Sequence, residues 1–284
     1  MSLHSTFGIV GGDARQVYLA RSLAKDGYPV YVSCLEQAEK LGDLPCVPLR
    51  ELPEKCGVIV FPLPVTRDGR LLNTPFSESR VVLDDDFAAL FAGKTVYGGL
   101  MEKLYRSSEL WANVDAHDYY SREELMVGNA FLTAEGAVGL AIQEFDGALN
   151  GSRCLVTGFG RIGKALCLAL RGLGARVDCC ARKAQDLTAI RAIGCKPLPY
   201  KSISRAYDVI FNTVPAKVLT GPALSRQNEE TLIIELASLP GGVDMEAARR
   251  LHLQVVNGQS IPGRVSPKTS GELIKEAIYN MMEE

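Results

Sequence analysis

The chain has 284 residues, 47% of them apolar, and a formal net charge of −2. That apolar share supports full cores and excludes a disordered chain, and the near-neutral balance gives no basic face for nucleic acid or anionic membrane. No apolar run reads as long enough to span a bilayer, the N-terminus lacks a signal-peptide pattern, and eight scattered cysteines with three histidines give neither a C-x-x-C pair nor zinc-ligand spacing, so no metal is expected.

The first half alternates strand and helix. Residues 7–10 read as a strand, Gly11-Gly12 as a turn, 14–24 as a helix ended near Gly27, and 30–33 as a second strand. Residues 58–61 form a buried strand stopped by Pro62 and Pro64, and 81–83 and 95–97 are further candidates. At Ser121-Arg122-Glu123-Glu124 the serine can cap a helix and Glu124 can answer it, and the helical pattern runs to about Glu144. After a polar turn over 146–152, strands are expected at 154–157, 177–181, 209–212, 232–236 and 254–256, and a last helix over 269–282.

This order implies an α/β fold with two Rossmann-like parallel-sheet domains joined by a long connector helix. The expected parts are a substrate domain over 1–120, the connector over 121–147, a dinucleotide-binding domain over 148–266, and a C-terminal helix over 267–284. By fold analogy that last helix packs back on the first domain.

The sharpest motif is Gly158-Phe159-Gly160-Arg161-Ile162-Gly163, set between a strand and a helix. The first glycine permits the tight turn, the second lets a pyrophosphate approach the backbone, and the third lets helix and strand pack closely, with the helix N-terminus facing the anion. An NAD site usually carries a carboxylate at the tip of the next strand to bind the ribose 2′-hydroxyl. Here the tip reads Ala181-Arg182-Lys183, two cations suited to a 2′-phosphate, so NADP is favoured, with NAD as the alternative.

In an open α/β sheet ligands sit outside the carboxyl ends of the strands. Those ends carry Gly11, Gly12, Asp13 and Arg15; Asn212, Thr213, Val214 and Pro215; Ser238; and Lys268 with Thr269. Gly11-Gly12 could offer bare N–H groups to a carboxylate, and Arg15 could grip it with two parallel bonds. Asn212 to Pro215 should pass near the nicotinamide ribose, with Ser238 beside the nicotinamide. Lys268 could bind a carboxylate or move a proton, and Glu135, next to Gly136 in the connector helix, could be a buried acid or base. The substrate is expected between the domains, with Arg15 on one and Lys268 on the other.

The stretches Ile9-Val10-Gly11-Gly12-Asp13-Ala14-Arg15-Gln16, Ser121-Arg122-Glu123-Glu124-Leu125, Thr133-Ala134-Glu135-Gly136-Ala137 and Gly158–Gly163 resemble the dipicolinate synthase A-chain family of spore-forming bacteria. So do Ile210-Phe211-Asn212-Thr213-Val214-Pro215, Leu236-Ala237-Ser238-Leu239-Pro240-Gly241-Gly242 and Pro262-Gly263-Arg264-Val265-Ser266-Pro267-Lys268-Thr269, in the same order along nearly the whole chain. Ser266 departs from the small apolar residue expected there. The resemblance implies oxidation of a dihydrodipicolinate-type ring to pyridine-2,6-dicarboxylate, in the cytoplasm of a sporulating mother cell, with a flavoprotein B chain as partner and a homo-oligomer besides. The rival readings are a D-2-hydroxyacid-dehydrogenase-like oxidoreductase and a non-catalytic nucleotide-binding subunit. The first would need a histidine near the chain's end, and none follows His252.

Overall fold

A computed structural model describes residues 6–284 and divides into two compact units, 1–129 with 266–284, and 130–265. In chain order, the first half has β1 (Phe7–Val10), α1 (Ala14–Lys25), β2 (Val30–Ser33), α2 (Leu52–Lys55), β3 (Val58–Val60), α3 (Asp85–Ala89), β4 (Thr95–Gly98), α4 (Glu102–Tyr105), β5 (Asp115–Asp118) and the long α5 (Glu123–Glu144). The second half has β6 (Arg153–Thr157), α6 (Arg161–Gly172), β7 (Arg176–Cys180), α7 (Ala184–Ala192), β8 (Lys196–Leu198), β9 (Val209–Asn212), α8 (Gly221–Leu224), β10 (Leu232–Glu235), α9 (Met245–Arg250), β11 (Gln254–Asn257), α10 (Ile261–Val265) and α11 (Pro267–Glu283).

Both sheets are parallel, ordered β2-β1-β3-β4-β5 and β11-β10-β9-β6-β7-β8. Chain direction across the sheet reverses between β1 and β3 in the first, and between β6 and β9 in the second. Those are the switch points at which such sheets bind ligands. The inner strands are apolar on both faces because helices cover both. Successive residues of β7 show this: Cys179 enters one buried cluster and Cys180 the other.

In the first unit α11 packs along α1. Gly271 makes this approach feasible: a Cβ there would lie 2.7 Å from the Arg15 carbonyl oxygen. Ile274, Ala277 and Ile278 of α11 join the core with Leu19 and Leu23 of α1. Lys275 bridges to Asp26 at 2.7 Å and Tyr279 donates to the same carboxylate. On the other face of the sheet Phe61, Phe87, Phe91 and Trp111 stack edge and face.

Three expectations fail for physical reasons. Residues 81–83 join neither sheet: they pair locally with 70–72, through an isolated antiparallel bridge from Leu71 to Val82 and the bonds Leu72 N to the Val81 carbonyl and Leu83 N to the Arg70 carbonyl. The capping box at Ser121 does not form: Glu124 pairs with Arg122, and the Ser121 hydroxyl donates to the Asp118 carbonyl. And α5 is by length and composition apolar enough to cross a membrane, with half of its most apolar stretch buried inside the protein. Leu125 serves the first core, and Ala134, Ala137 and Ala141 the second.

Candidate functional site

In the second unit the glycine motif turns from β6 into α6, and each glycine has a distinct reason. Gly158 has φ +95°, and a Cβ on it would stand 2.5 Å from Thr213 Oγ1. A Cβ on Gly163 would stand 2.1 Å from the Gly158 carbonyl oxygen, so only glycine lets the helix pack there. Gly160 is different: a Cβ there meets nothing within 4 Å. It caps α6 without a side chain, and its open side lies at the positive end of a 12-residue helix. This cradle fits a dinucleotide pyrophosphate, with Gly158, Gly160, Arg161, Ile162 and Gly163 around it.

At the tip of β7, Cys180 and Ala181 are buried while Arg182 and Lys183 are exposed. The carboxylate within β7, Asp178, is 4% exposed and is occupied by the Tyr207 hydroxyl at 2.8 Å and by Arg205. It is a core residue and does not reach the strand tip. The tip therefore presents cations, as a 2′-phosphate would require.

Across the switch point the carboxyl ends of β6, β9 and β10 are tied together by buried side chains. Thr157 Oγ1 donates to Asn212 Oδ1, and Asn212 Nδ2 donates to Glu235 Oε1 at 2.6 Å and to the Val214 carbonyl at 3.1 Å. Glu235 also accepts from the backbone N–H groups of Ala237, Gly242 and Val243. Thr213 donates its hydroxyl to the Thr157 carbonyl at 2.8 Å. Pro215 and Ser238 are exposed on the loops so held.

In the first unit the site is assembled at the start of α1. Asp13 caps the helix, accepting from Arg15 N at 3.1 Å, and also takes Arg15 Nε at 2.9 Å and Nη2 at 2.8 Å. Nη2 donates to the Leu63 carbonyl as well. Burial opposes the Arg15 charge, but the hydrogen bond and charge of Asp13 outweigh it and hold its pKa above the ordinary value. The expectation that Gly11 and Gly12 offer bare N–H groups is corrected. Gly11 N donates to the Ser33 carbonyl and Gly12 N to the Asn73 carbonyl, both at 2.8 Å. The glycines are needed for positive φ and close packing instead: a Cβ on Gly12 would stand 2.5 Å from Gln16 Cγ and 2.7 Å from Pro62.

Two further expectations are corrected. Glu135 is not a buried acid: it lies on the exposed face of α5, while its neighbour Gly136 faces inward, where a Cβ would collide with Ile261 at 2.2 Å. Lys268 does not stand on the domain opposite Arg15. It lies with exposed Thr269 on the first turn of α11, in the same unit as Arg15. Pro267, just before it, shares a cavity of about 250 Å³ with Ala14 and Tyr18 of α1.

Two buried polar residues escaped the sequence reading. Glu235 closes the run Leu232-Ile233-Ile234, where a carboxylate ending an apolar strand was the available signal. Gln16 is 1% exposed, and neither amide atom has a hydrogen-bond partner among the described residues. Its signal was a polar residue on the buried face of α1. His252, by contrast, sits exposed in the turn before β11, at the amino-terminal edge of the sheet and away from the ligand-binding edge.

Comparison with known proteins agrees with this division. Residues 6–119 match the N-terminal domain of the dipicolinate synthase A chain, and residues 133–232 match the NAD-binding domain of D-isomer specific 2-hydroxyacid dehydrogenases. The chain is 29% identical over 283 residues to the dipicolinate synthase A chain of Bacillus subtilis (strain 168), covering 97% of this chain and 95% of that one. It superposes on the crystal structure of the A chain from Bacillus subtilis with a TM-score of 0.84 at 28% identity, covering 98% of this chain and 96% of that one. The corresponding protein from Bacillus halodurans gives a TM-score of 0.86 at 27% identity, covering 99% and 98%. The second unit is thus a nicotinamide-dinucleotide domain of the dehydrogenase type, and together with the similarity to the dipicolinate synthase A chain it supports an NAD(P)-dependent oxidoreductase.

Proposed function

We propose that this chain, similar along nearly its whole length to the dipicolinate synthase A chain, oxidises a dihydrodipicolinate-type ring to pyridine-2,6-dicarboxylate with NADP as oxidant. The observation that carries the reading is the joint presence of the N-terminal domain match and, in the second unit, the open Gly160 cradle beside Arg182 and Lys183. The ring loses a hydride and a proton, and aromatisation makes the step practically one-way. A bound oxidised nicotinamide supplies the hydride acceptor.

The chain's own residues bind and orient. Gly158, Gly160, Arg161, Ile162 and Gly163 hold the pyrophosphate, and Arg182 with Lys183 reads the 2′-phosphate. Asn212, Thr213, Val214, Pro215 and Ser238 line the nicotinamide half. Arg15, already aimed by Asp13 and Leu63, anchors one substrate carboxylate, with Gly11, Gly12 and Asp13 shaping its support. Lys268 and Thr269 take the other. Lys268, exposed on the first turn of α11, is an anchor for a substrate carboxylate, and water takes the ring proton.

The partner is a flavoprotein of the same synthase, and the setting is the cytoplasm of a sporulating mother cell. The match to the hydroxyacid-dehydrogenase domain favours a second reading, oxidation of a 2-hydroxy acid. That reading expects a histidine base near the chain's end: no histidine follows His252, which is at the wrong edge of the sheet, and the loop after β10 continues as Ser238-Leu239-Pro240. Purified chain with NADP and enzymatically generated dihydrodipicolinate, with and without the flavoprotein, separates these readings. Reduced nicotinamide and dipicolinate should rise together. Reduction with 2-hydroxy acids but not with the dihydro ring would favour the second reading, and tight NADP binding without turnover would make the chain a scaffold.

A further inference from the structure

We propose that Glu235 is a positioning residue for the nicotinamide half of the cofactor site. This rests on the reading of the second unit as a nicotinamide-dinucleotide domain. The Gly160 cradle lies at the end of β6, and the cationic tip of β7 marks the adenine side. The sheet order β10-β9-β6-β7 therefore runs the other half of a dinucleotide over the carboxyl ends of β9 and β10. The loops that follow those strands, 213–215 and 237–243, are the walls available there.

Those two loops are joined through one carboxylate. Glu235 Oε1 accepts from Asn212 Nδ2 at 2.6 Å and Ala237 N at 3.0 Å, and Oε2 accepts from Gly242 N at 2.9 Å and Val243 N at 3.1 Å. Asn212 passes the connection on to the Val214 carbonyl and to Thr157, directly before the cofactor turn. The loops touch: a Cβ on Gly242 would lie 2.4 Å from the Val214 carbonyl oxygen. The three preceding residues of β10 are Leu232, Ile233 and Ile234, so the carboxylate stands at the end of an apolar strand, and an aliphatic residue in its place would spare its burial but leave four N–H donors without an acceptor. What the carboxylate adds is direction, through four bonds that leave each oxygen with two donors and fix both loops relative to β6.

All four partners of Glu235 are N–H donors, so an amide cannot replace the carboxylate without setting its own NH2 against two of them. Glu235→Gln should loosen the loops locally and leave the turn at Gly158–Gly163 in place. The test compares each dinucleotide with its own adenine half, NADPH with 2′,5′-ADP and NADH with ADP, by titration of the full chain. For the dinucleotide that the wild type binds, affinity should fall about tenfold in the variant, while affinity for the adenine half stays within about twofold. Thr157→Val, which removes the hydroxyl bond to Asn212 and the longer one to the Phe211 carbonyl, should show the same split at smaller size and serves if Glu235→Gln fails to fold. Equal losses for dinucleotide and half would mean a merely structural role, and no loss for either would mean no role; both overturn the proposal. A wild type that binds neither dinucleotide would overturn the cofactor reading itself.

Discussion

The Arg15 guanidinium meets the Asp13 carboxylate edge to edge, Nε to Oδ1 at 2.9 Å and Nη2 to Oδ2 at 2.8 Å, two residues apart at the start of α1. An exposed arginine would search many rotamers. This one is held with its side chain 13% exposed and needs little further ordering to receive an anion.

Replacing Arg15 by Ala should raise KM for the dicarboxylate ten- to a hundredfold, roughly the ~1.5–3 kcal/mol of one charge-assisted bond, with cofactor affinity unchanged. Lys268→Met should also raise KM while leaving kcat in place. Steady-state kinetics on both variants checks the two together. A collapse of kcat at constant KM for Lys268→Met would make that lysine a proton carrier instead of an anchor.

The glycines of the cofactor turn should separate binding from folding. Gly160→Ala adds a methyl to open space at φ −78°, so its Tm should match the wild type while dinucleotide affinity falls at least about tenfold. Gly163→Ala drives its methyl into the Gly158 carbonyl and should cost about 1–3 kcal/mol of stability even without cofactor. Thermal melts with and without dinucleotide distinguish the two. A Gly160→Ala protein that binds normally would show that no phosphate approaches this backbone.

Arg182 sits where NAD enzymes usually carry an acid. Arg182→Ala should weaken NADP by about 1–2 kcal/mol and leave NAD nearly untouched, as fluorescence titration of each would show. Equal losses for both cofactors would mean that Arg182 does not read the 2′-phosphate.

Acid should loosen the C-terminal helix. Hydrogen bonds from Lys275 and Tyr279 hold the Asp26 carboxyl below the ordinary carboxylate range. A depressed folded-state pKa adds stability that is complete above the unfolded value near 4 and is lost as pH falls through the folded value. The pair is partly solvated, so its worth is about 0.5 kcal/mol. Lys275→Met should remove this component, so denaturant unfolding at neutral pH and at pH about 3 should give a smaller difference in the variant than in the wild type. Identical differences would mean that Asp26 does not contribute.

The alternation of apolar strands and amphipathic helices made the two sheets legible, since buried parallel strands such as Val58-Ile59-Val60 are continuous apolar runs. The polar edge strand Asp115-Ala116-His117-Asp118 was not, because it pairs on one side only and carries the charges that protect an edge. At the site, Gly158, Gly160 and Gly163 could be read from spacing because each answers a backbone demand. The Gly11 and Gly12 N–H groups could not: their partners, the carbonyls of Ser33 and Asn73, come from a strand end and a loop that no local periodicity brings to them. Glu135 failed for a related reason. Helical periodicity places Gly136 and Glu135 on different faces, but it does not say which face α10 covers.

The most direct test of the proposed chemistry follows the transferred atom. Dihydrodipicolinate carrying deuterium at the ring carbon that loses hydride is turned over by the purified chain with NADP, alone and with its flavoprotein partner. The label should appear on the nicotinamide ring of the reduced cofactor, in an amount equal to the dipicolinate formed. Dipicolinate forming with the label released to water, or no label on the cofactor under either condition, would contradict hydride transfer by this chain.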